Sequence, residues 1–230
     1  NNEVGSIQPL KAIGQIARRH QIVFHTDAVQ AYGHIPINVN ECMIDMLSMS
    51  AHKLHGPKGV GFLYIRNGLE LPSYIDGGSQ ENGHRAGTSN VPGIVGLGKA
   101  CEIAARNMQK NINSMTRLRN RLIYQIRQGL PNAVLTGSEQ MRLPNNVSFC
   151  FPGVESAQLL SILDSHGICA SAGSACSTGA AGPSHVLIAM GIDYNLAGGS
   201  LRLTLSSENT MQEVDFVAET VIKTVKRLSV

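Results

Sequence analysis

The chain has 230 residues, 43% of them hydrophobic, enough to bury a sizeable core as one large or two small domains. Its formal charge of +3 comes from 19 basic and 16 acidic residues that are interspersed, which argues against a direct nucleic-acid-binding role. No apolar run is long enough to span a bilayer, and five cysteines, at 42, 101, 150, 169 and 176, form no C-x-x-C pair, so a soluble, cytoplasmic protein is expected, without disulfides or a resident metal.

The chain opens on Asn1-Asn2-Glu3-Val4-Gly5, a loop already under way, and we expect a longer protein of which an N-terminal part is missing. From Ile7 to about Arg19 apolar residues recur with helical period, and the run His20 to His25 then reads as a buried strand. Ile44 to Ser50 is a second strand, ending on Ser50-Ala51-His52-Lys53, and Gly59 to Ile65 a third. Helices alternating with apolar strands predict an α/β sheet, whose ligand sits beyond the carboxyl ends of the strands. A glycine-rich connection from Asp76 to Thr88 leads into a linking helix over about 91–130, in which Arg117, Arg119 and Arg121 read as a solvated face. Strands at 133–136, 146–151 and 200–205 and helices at 156–166, 183–190 and up to Val230 complete a smaller α+β half. The expected domains are residues 1–95 and 96–230.

Ser171-Ala-Gly-Ser-Ala-Cys176-Ser places one cysteine among small residues that suit an exposed loop, which makes Cys176 the candidate nucleophile. Cys169, after Gly167 and Ile168, reads as a core residue at a strand start, and Cys42, Cys101 and Cys150 as structural. A lysine after a strand is most often a surface charge and an aspartate at a strand end a turn residue. Together Asp27 and Lys53 match what pyridoxal phosphate requires, an amine to bond its aldehyde and a carboxylate to keep its ring nitrogen protonated. Ser50 and His52 flank the lysine with donors for a phosphate, and Gln30 could reach the ring hydroxyl; His25 and His52 could equally be ordinary satisfied histidines. The glycine-rich run ending at Thr88 could offer backbone amides and a hydroxyl to a phosphate.

These strings, Asn1-Asn2-Glu3-Val4-Gly5, His25-Thr-Asp27-Ala-Val-Gln30, Ser50-Ala-His52-Lys53-Leu-His-Gly-Pro-Lys-Gly-Val-Gly, Gly77 to Thr88, Ser174-Ala-Cys176 and Ser200-Leu-Arg202, occur in the order found in the NifS/IscS-type cysteine desulfurases, which the whole chain resembles. The resemblance implies part of the large domain of a fold type I pyridoxal-phosphate enzyme, a mainly parallel sheet with helices on both faces, followed by a small α+β domain. It further implies that Lys53 bonds the cofactor, that Asp27 pairs with its pyridinium, and that Gln30 and Asn2 contact the ring oxygen or the substrate. Ser50, Ala51 and His52 would hold the phosphate, and Thr88 would reach a phosphate across the interface of a homodimer. Arg202 would clamp the carboxylate of L-cysteine, and Cys176 would take its sulfur as a persulfide for a sulfur-accepting scaffold protein that serves iron–sulfur cluster or other sulfur-containing product synthesis, with Cys176 at most a transient cluster ligand. Selenocysteine lyase and a cofactor-free scaffold or regulatory homologue share these residues and stand as alternatives. Two positions depart from the family pattern: Ser206-Ser207 follows the Arg202 strand where Gly-Arg is usual, and Gly182 stands where an acidic residue is often found.

Overall fold

Short apolar runs set between helical stretches form two three-stranded sheets among the described residues of the computed structural model, which describes residues 1–173 and 182–229. One sheet belongs to a unit of Pro9–Met108, the other to a unit made of Asn1–Gln8 and Gln109–Val230.

In the first unit, helix α1 (Leu10–Arg19) ends with Arg18 and Arg19, two cations where the helix dipole favours them. Strand β1 (His25–Asp27) then runs parallel to β2 (Met46–Ser50), and β3 (Gly61–Ile65) pairs antiparallel with the far side of β2. The period of two along β2 decides which face is buried. Leu47 and Met49 point into a core shared with Ala28, Ile44, Leu54, Leu97 and Ala100, whereas Met46, Ser48 and Ser50 lie on the more open face. The ring edge of Tyr32 or Phe62 meets the other's face, with centroids 5.2 Å apart.

Helix α2 (Val91–Gly129) runs unbroken for 39 residues, and the division between the units falls inside it, at 108/109, where sequence position alone had placed it at 95/96. Residues 1–8 group with the C-terminal half because they pair with it: Leu143 N–H donates to the Gly5 carbonyl at 2.8 Å, and Ile7 N–H to that of Met141 at 2.8 Å. The second sheet, in the order β4 (Val134–Leu135), β5 (Asn146–Cys150) and β6 (Ser200–Thr204), is antiparallel throughout. Helices α3 (Ser156–Ser165) and α6 (Met211–Leu228) and the later turns of α2 enclose a core that includes Leu122, Ile126, Phe149, Leu163, Leu201 and Val221. Between α3 and β6 the described residues form two short helices, α4 (His185–Ala189) and α5 (Tyr194–Gly198). The sequence reading had no place for α5, since five residues show no period; its N-cap Asp193, which accepts from Asn195 and Leu196 N–H, is the signal that marks it.

Three expectations are corrected here. The buried strand expected over His20–His25 is not there: β1 is His25–Asp27, and Ile22 and Val23 are exposed. Arg119 is not on a solvated face: it is buried and donates through Nη1 to the Arg142 and Leu143 carbonyls at 3.1 and 2.9 Å, and burial lowers its pKa. Cys169 is exposed and lies outside any strand, because the chain leaving α3 reaches the sheet only at Ser171. Among the described residues no helix is long and apolar enough to cross a membrane.

Arg142 is likewise buried, its pKa pulled down to about 10 by desolvation and then by Arg119 and Arg127, so it stays charged at neutral pH while donating to Thr136 O, Ser138 O and Asn146 Oδ1. Replacing it with Met strips donors from three acceptors at once, and Arg142→Met should cost about 3 kcal/mol of stability, read as a lower denaturant midpoint with an unchanged slope.

Candidate functional site

The residues nominated from sequence fall into two groups, one on each unit. In the first unit the parallel register sets Asp27 opposite Ser48 and His25 opposite Met46. Paired residues project to the same side of a sheet, so His25, Asp27, Ser48 and Ser50 share the face turned away from Leu47 and Met49. The side chains confirm it, since His25 Nε2 and Ser48 Oγ are 2.7 Å apart. Asp27 ends its strand exposed, with Oδ1 accepting from Val29 N–H at 2.9 Å, a turn that fixes the carboxylate's direction. Gln30, half-buried, belongs to that same turn.

Beyond β2 the chain makes a 3₁₀ turn, Ala51–Leu54, entered from Ser50 in extended conformation and left through His55 in the left-handed region, at φ 59°. The turn holds Ala51 and Leu54 buried and leaves His52 and Lys53 exposed. Ala51 cannot serve a ligand as a donor: it is fully buried and its N–H donates to the Val60 carbonyl at 3.0 Å. Its part is to pack beneath the turn that presents Ser50, His52 and Lys53. An exposed amine, a fixed carboxylate and a donor set of hydroxyl and imidazole thus stand at the carboxyl ends of two adjacent parallel strands, the place where open α/β sheets take their ligands. Thr88 is exposed where the glycine-rich segment enters α2, and no hydrogen bond among the described residues ties it to Ser50 or His52.

The second unit holds Asn2 and Arg202. Arg202, on β6, donates through Nη1 to the Asn2 carbonyl at 3.0 Å, and its backbone exchanges two hydrogen bonds with Ser171, at 2.6 and 3.1 Å. Asn2 itself sits in a tight turn in which Asn1 Oδ1 accepts from Glu3 and Val4 N–H. Cys176 and Ser174 lie outside the described residues. Sequence reasoning missed Ser48, Ser171, Ser184 and above all Glu3, which is buried although its residue type suggests a surface position; the signal for Ser184 was its place as N-cap, directly before α4. Among the described residues no cluster of His, Cys, Asp and Glu could hold a metal ion.

Residues 1–217 match the class-V aminotransferase family. The chain is 50% identical over 229 residues to a cysteine desulfurase IscS of Clostridium botulinum, covering 99% of this chain and 58% of that protein. A solved NifS-like protein superposes with a TM-score of 0.88 at 38% identity, covering 99% of this chain and 59% of its own. SspA in complex with cysteine gives a TM-score of 0.72 at 34% identity over 91% of this chain and 58% of that one. The chain therefore spans under two thirds of the length of the relatives it matches.

The described cysteines differ in reactivity. Burial pushes the Cys150 thiol up to about 11, whereas Cys169 is exposed. At pH 8 a group titrating at 11 is ionised about once in a thousand molecules, so brief alkylation of the native protein should label Cys169 and spare Cys150, with both modified after denaturation, as read by peptide mass.

Proposed function

This chain belongs to the class-V aminotransferase family, and on that premise we propose that its residues carry out the chemistry of a pyridoxal-phosphate-dependent cysteine desulfurase, converting L-cysteine to L-alanine and leaving the sulfur on Cys176. The observation that carries the reading is the placement of Asp27 and Lys53 beyond adjacent parallel strands, with Ser48, Ser50 and His25 on the same face. The donor set fits the cofactor: Asp27 is a carboxylate of fixed direction for the ring nitrogen, Lys53 an exposed amine for the aldehyde carbon, and Ser50 and His52 offer donors for the phosphate. When bound there, pyridoxal phosphate supplies an electron sink that acidifies the substrate's α-proton and loosens its Cβ–S bond.

Each residue's task follows from its chemistry. Asp27 favours the cationic form of the neighbouring nitrogen by charge, and Gln30 and Asn2 offer amides to the ring oxygen or the substrate. Arg202 has the planar fork that receives a carboxylate in two parallel hydrogen bonds, and its Nη1 contact with the Asn2 carbonyl steadies the guanidinium. Lys53 Nζ would carry the substrate's α-proton. Cys176 Sγ, as thiolate, would attack the substrate sulfur; the S–S bond forms as the Cβ–S bond breaks, and the electron pair of that bond stays with carbon, which gains one proton to become the methyl group of alanine. The balance is L-cysteine plus a thiol to L-alanine plus a persulfide, and no outside oxidant enters. The persulfide's terminal sulfur then passes to a sulfur-accepting scaffold protein. We read the working form as a cytoplasmic homodimer, with Thr88 serving the phosphate of the second copy; its exposure supports that role.

Tested at the length of its curated relatives and purified with the cofactor, the protein should absorb in the visible and release alanine from L-cysteine. Lys53→Ala should remove the absorbance. Cys176→Ala should keep it and lose the one-sulfur mass gain. Arg202→Ala should raise KM for L-cysteine about 10–100-fold, the worth of a charge-assisted pair of hydrogen bonds. A colourless protein that forms no alanine would overturn the reading.

A further inference from the structure

Ser48 is a polar residue between two buried ones, Leu47 and Met49, and it touches the chain on both sides of Asp27. Its carbonyl accepts from Ala28 N–H at 2.9 Å, and its Oγ lies 2.7 Å from His25 Nε2. Between these two attachments stands Asp27 itself, the register partner of Ser48. Neighbouring strands lie about 4.8 Å apart and in-register side chains project to the same side, so the Ser48 hydroxyl is the cross-strand neighbour of the Asp27 carboxylate. His25, two residues earlier on β1, shares that face.

The pair supplies what the backbone leaves open. Among the described residues the carboxylate takes one hydrogen bond, from Val29 N–H to Oδ1 at 2.9 Å. A single bond leaves rotation about the Cβ–Cγ axis soft, because that torsion is broad for aspartate. A second donor from the side of β2 closes it. A serine hydroxyl gives one proton and accepts at the same time, and an imidazole nitrogen does either according to its tautomer. The arrangement that uses every group has His25 Nε2–H donating to Ser48 Oγ, with the Ser48 proton turned to the remaining Asp27 oxygen. The opposite tautomer would aim hydroxyl lone pairs at a carboxylate, oxygen against oxygen.

We propose that Ser48 and His25 are positioning residues for Asp27: the His25 ring orients the Ser48 hydroxyl, and the hydroxyl holds the second carboxylate oxygen, so that Asp27 meets the ring nitrogen of pyridoxal phosphate in one fixed orientation. The proposal rests on the cofactor part of the desulfurase reading and adds two residues to it. The chain of contacts has a direction, His25 to Ser48 to Asp27. His25 therefore acts on the carboxylate only through Ser48, and the two substitutions are coupled.

The test uses the protein at the length of its curated relatives and reads three things: the cofactor dissociation constant by equilibrium dialysis, the ring-nitrogen resonance of isotope-labelled pyridoxal phosphate in the loaded protein, and the denaturant midpoint without cofactor. Ser48→Ala should weaken cofactor binding on the order of 10-fold, the worth of one hydrogen bond to a charged group, and shift the ring-nitrogen resonance, with the midpoint little changed. Ser48→Thr, which keeps the hydroxyl, should hold both at the unsubstituted values. His25→Ala should weaken binding as well, His25→Gln should recover most of that loss because its amide nitrogen can stand in for Nε2, and His25→Ala should cost nothing further in the Ser48→Ala background. Unchanged affinity and resonance in Ser48→Ala overturn the proposal. So does additive loss in the double variant, or weaker binding that merely tracks a lowered midpoint, the mark of a structural pair. If Ser48→Ala does not fold, the His25 variants decide, and undiminished affinity in His25→Ala overturns the proposal. An unsubstituted protein that binds the cofactor and makes no alanine sinks the desulfurase reading alone; one that binds no cofactor sinks both.

Discussion

The register between β1 and β2 is the constraint on which the grouping of Asp27, Ser48 and Ser50 on one face depends. Asp27 opposite Ser48 puts a carboxylate on the open face and leaves Leu47 and Met49 to the core. A slip of one residue would reverse both assignments, because side chains alternate along a strand. Burying Leu47 and Met49 contributes about 1.5–3 kcal/mol each, against about 0.5–1.5 for a typical net hydrogen bond. Burial therefore selects the register and polar contacts refine it. The principal refinement is Asp45, a buried carboxylate just before β2. Its Oδ2 accepts from Phe24 N–H at 2.8 Å, where the chain enters β1, and its Oδ1 meets Arg66 at 2.7 Å, where the chain leaves β3. One side chain ties the ends of three strands.

The unit that carries Arg202 meets the same need by polar packing. β5 is buried on both faces, so its alternate residues Asn146 and Ser148 need partners on the side away from the main core. Ser148 Oγ takes a 2.6 Å hydrogen bond from Thr136 Oγ1, while Asn146 accepts from Arg142 and donates to the Glu3 carbonyl. Gly5, at φ +71°, lies directly against Asn146, and any Cβ there would overlap it. The turn bearing Asn2 and Glu3 is thereby fixed to the same sheet as Arg202, although some two hundred residues separate them in the chain.

Much of this could be read from the sequence where period and strand ends were informative. Helical spacing located α1, α2 and α6, and the rule that ligands gather at the carboxyl ends of parallel strands drew Asp27 and Lys53 together before any coordinate. What escaped is long-range and polar. Arg119 and Glu3 carry side chains that residue type assigns to solvent; the Arg142 and Leu143 carbonyls and the Ser184 hydroxyl, distant in sequence, help make their burial tolerable. Cys169 was misread for the converse reason, an apolar neighbour suggesting a core that the chain does not reach at that point. Helix α5 was too short for any periodicity to show. Cys176, the residue the sequence singled out first, lies outside the described residues, so its role rests on motif and family, not on geometry.

The proposed sulfur transfer also requires that a second thiol stay silent. Cys150 faces Ser200 across the β5–β6 ladder, and Arg202 stands two residues further along β6, so a second thiol lies one ladder step from the candidate substrate arginine. Were it ionised it could attack the inner sulfur of a persulfide, forming a disulfide and expelling the outer sulfur as sulfide. Val4, Leu187 and Ala197 pack around it, and desolvation lifts the thiol to about 11. At neutral pH a thiol of ordinary pKa near 8.5 is ionised to a few per cent, so this burial lowers the thiolate fraction of Cys150 by a further factor of about 100 or more. The apolar cluster that seats α4 therefore also keeps the Cys150 thiol protonated at neutral pH, by apolar burial and with no additional polar group required.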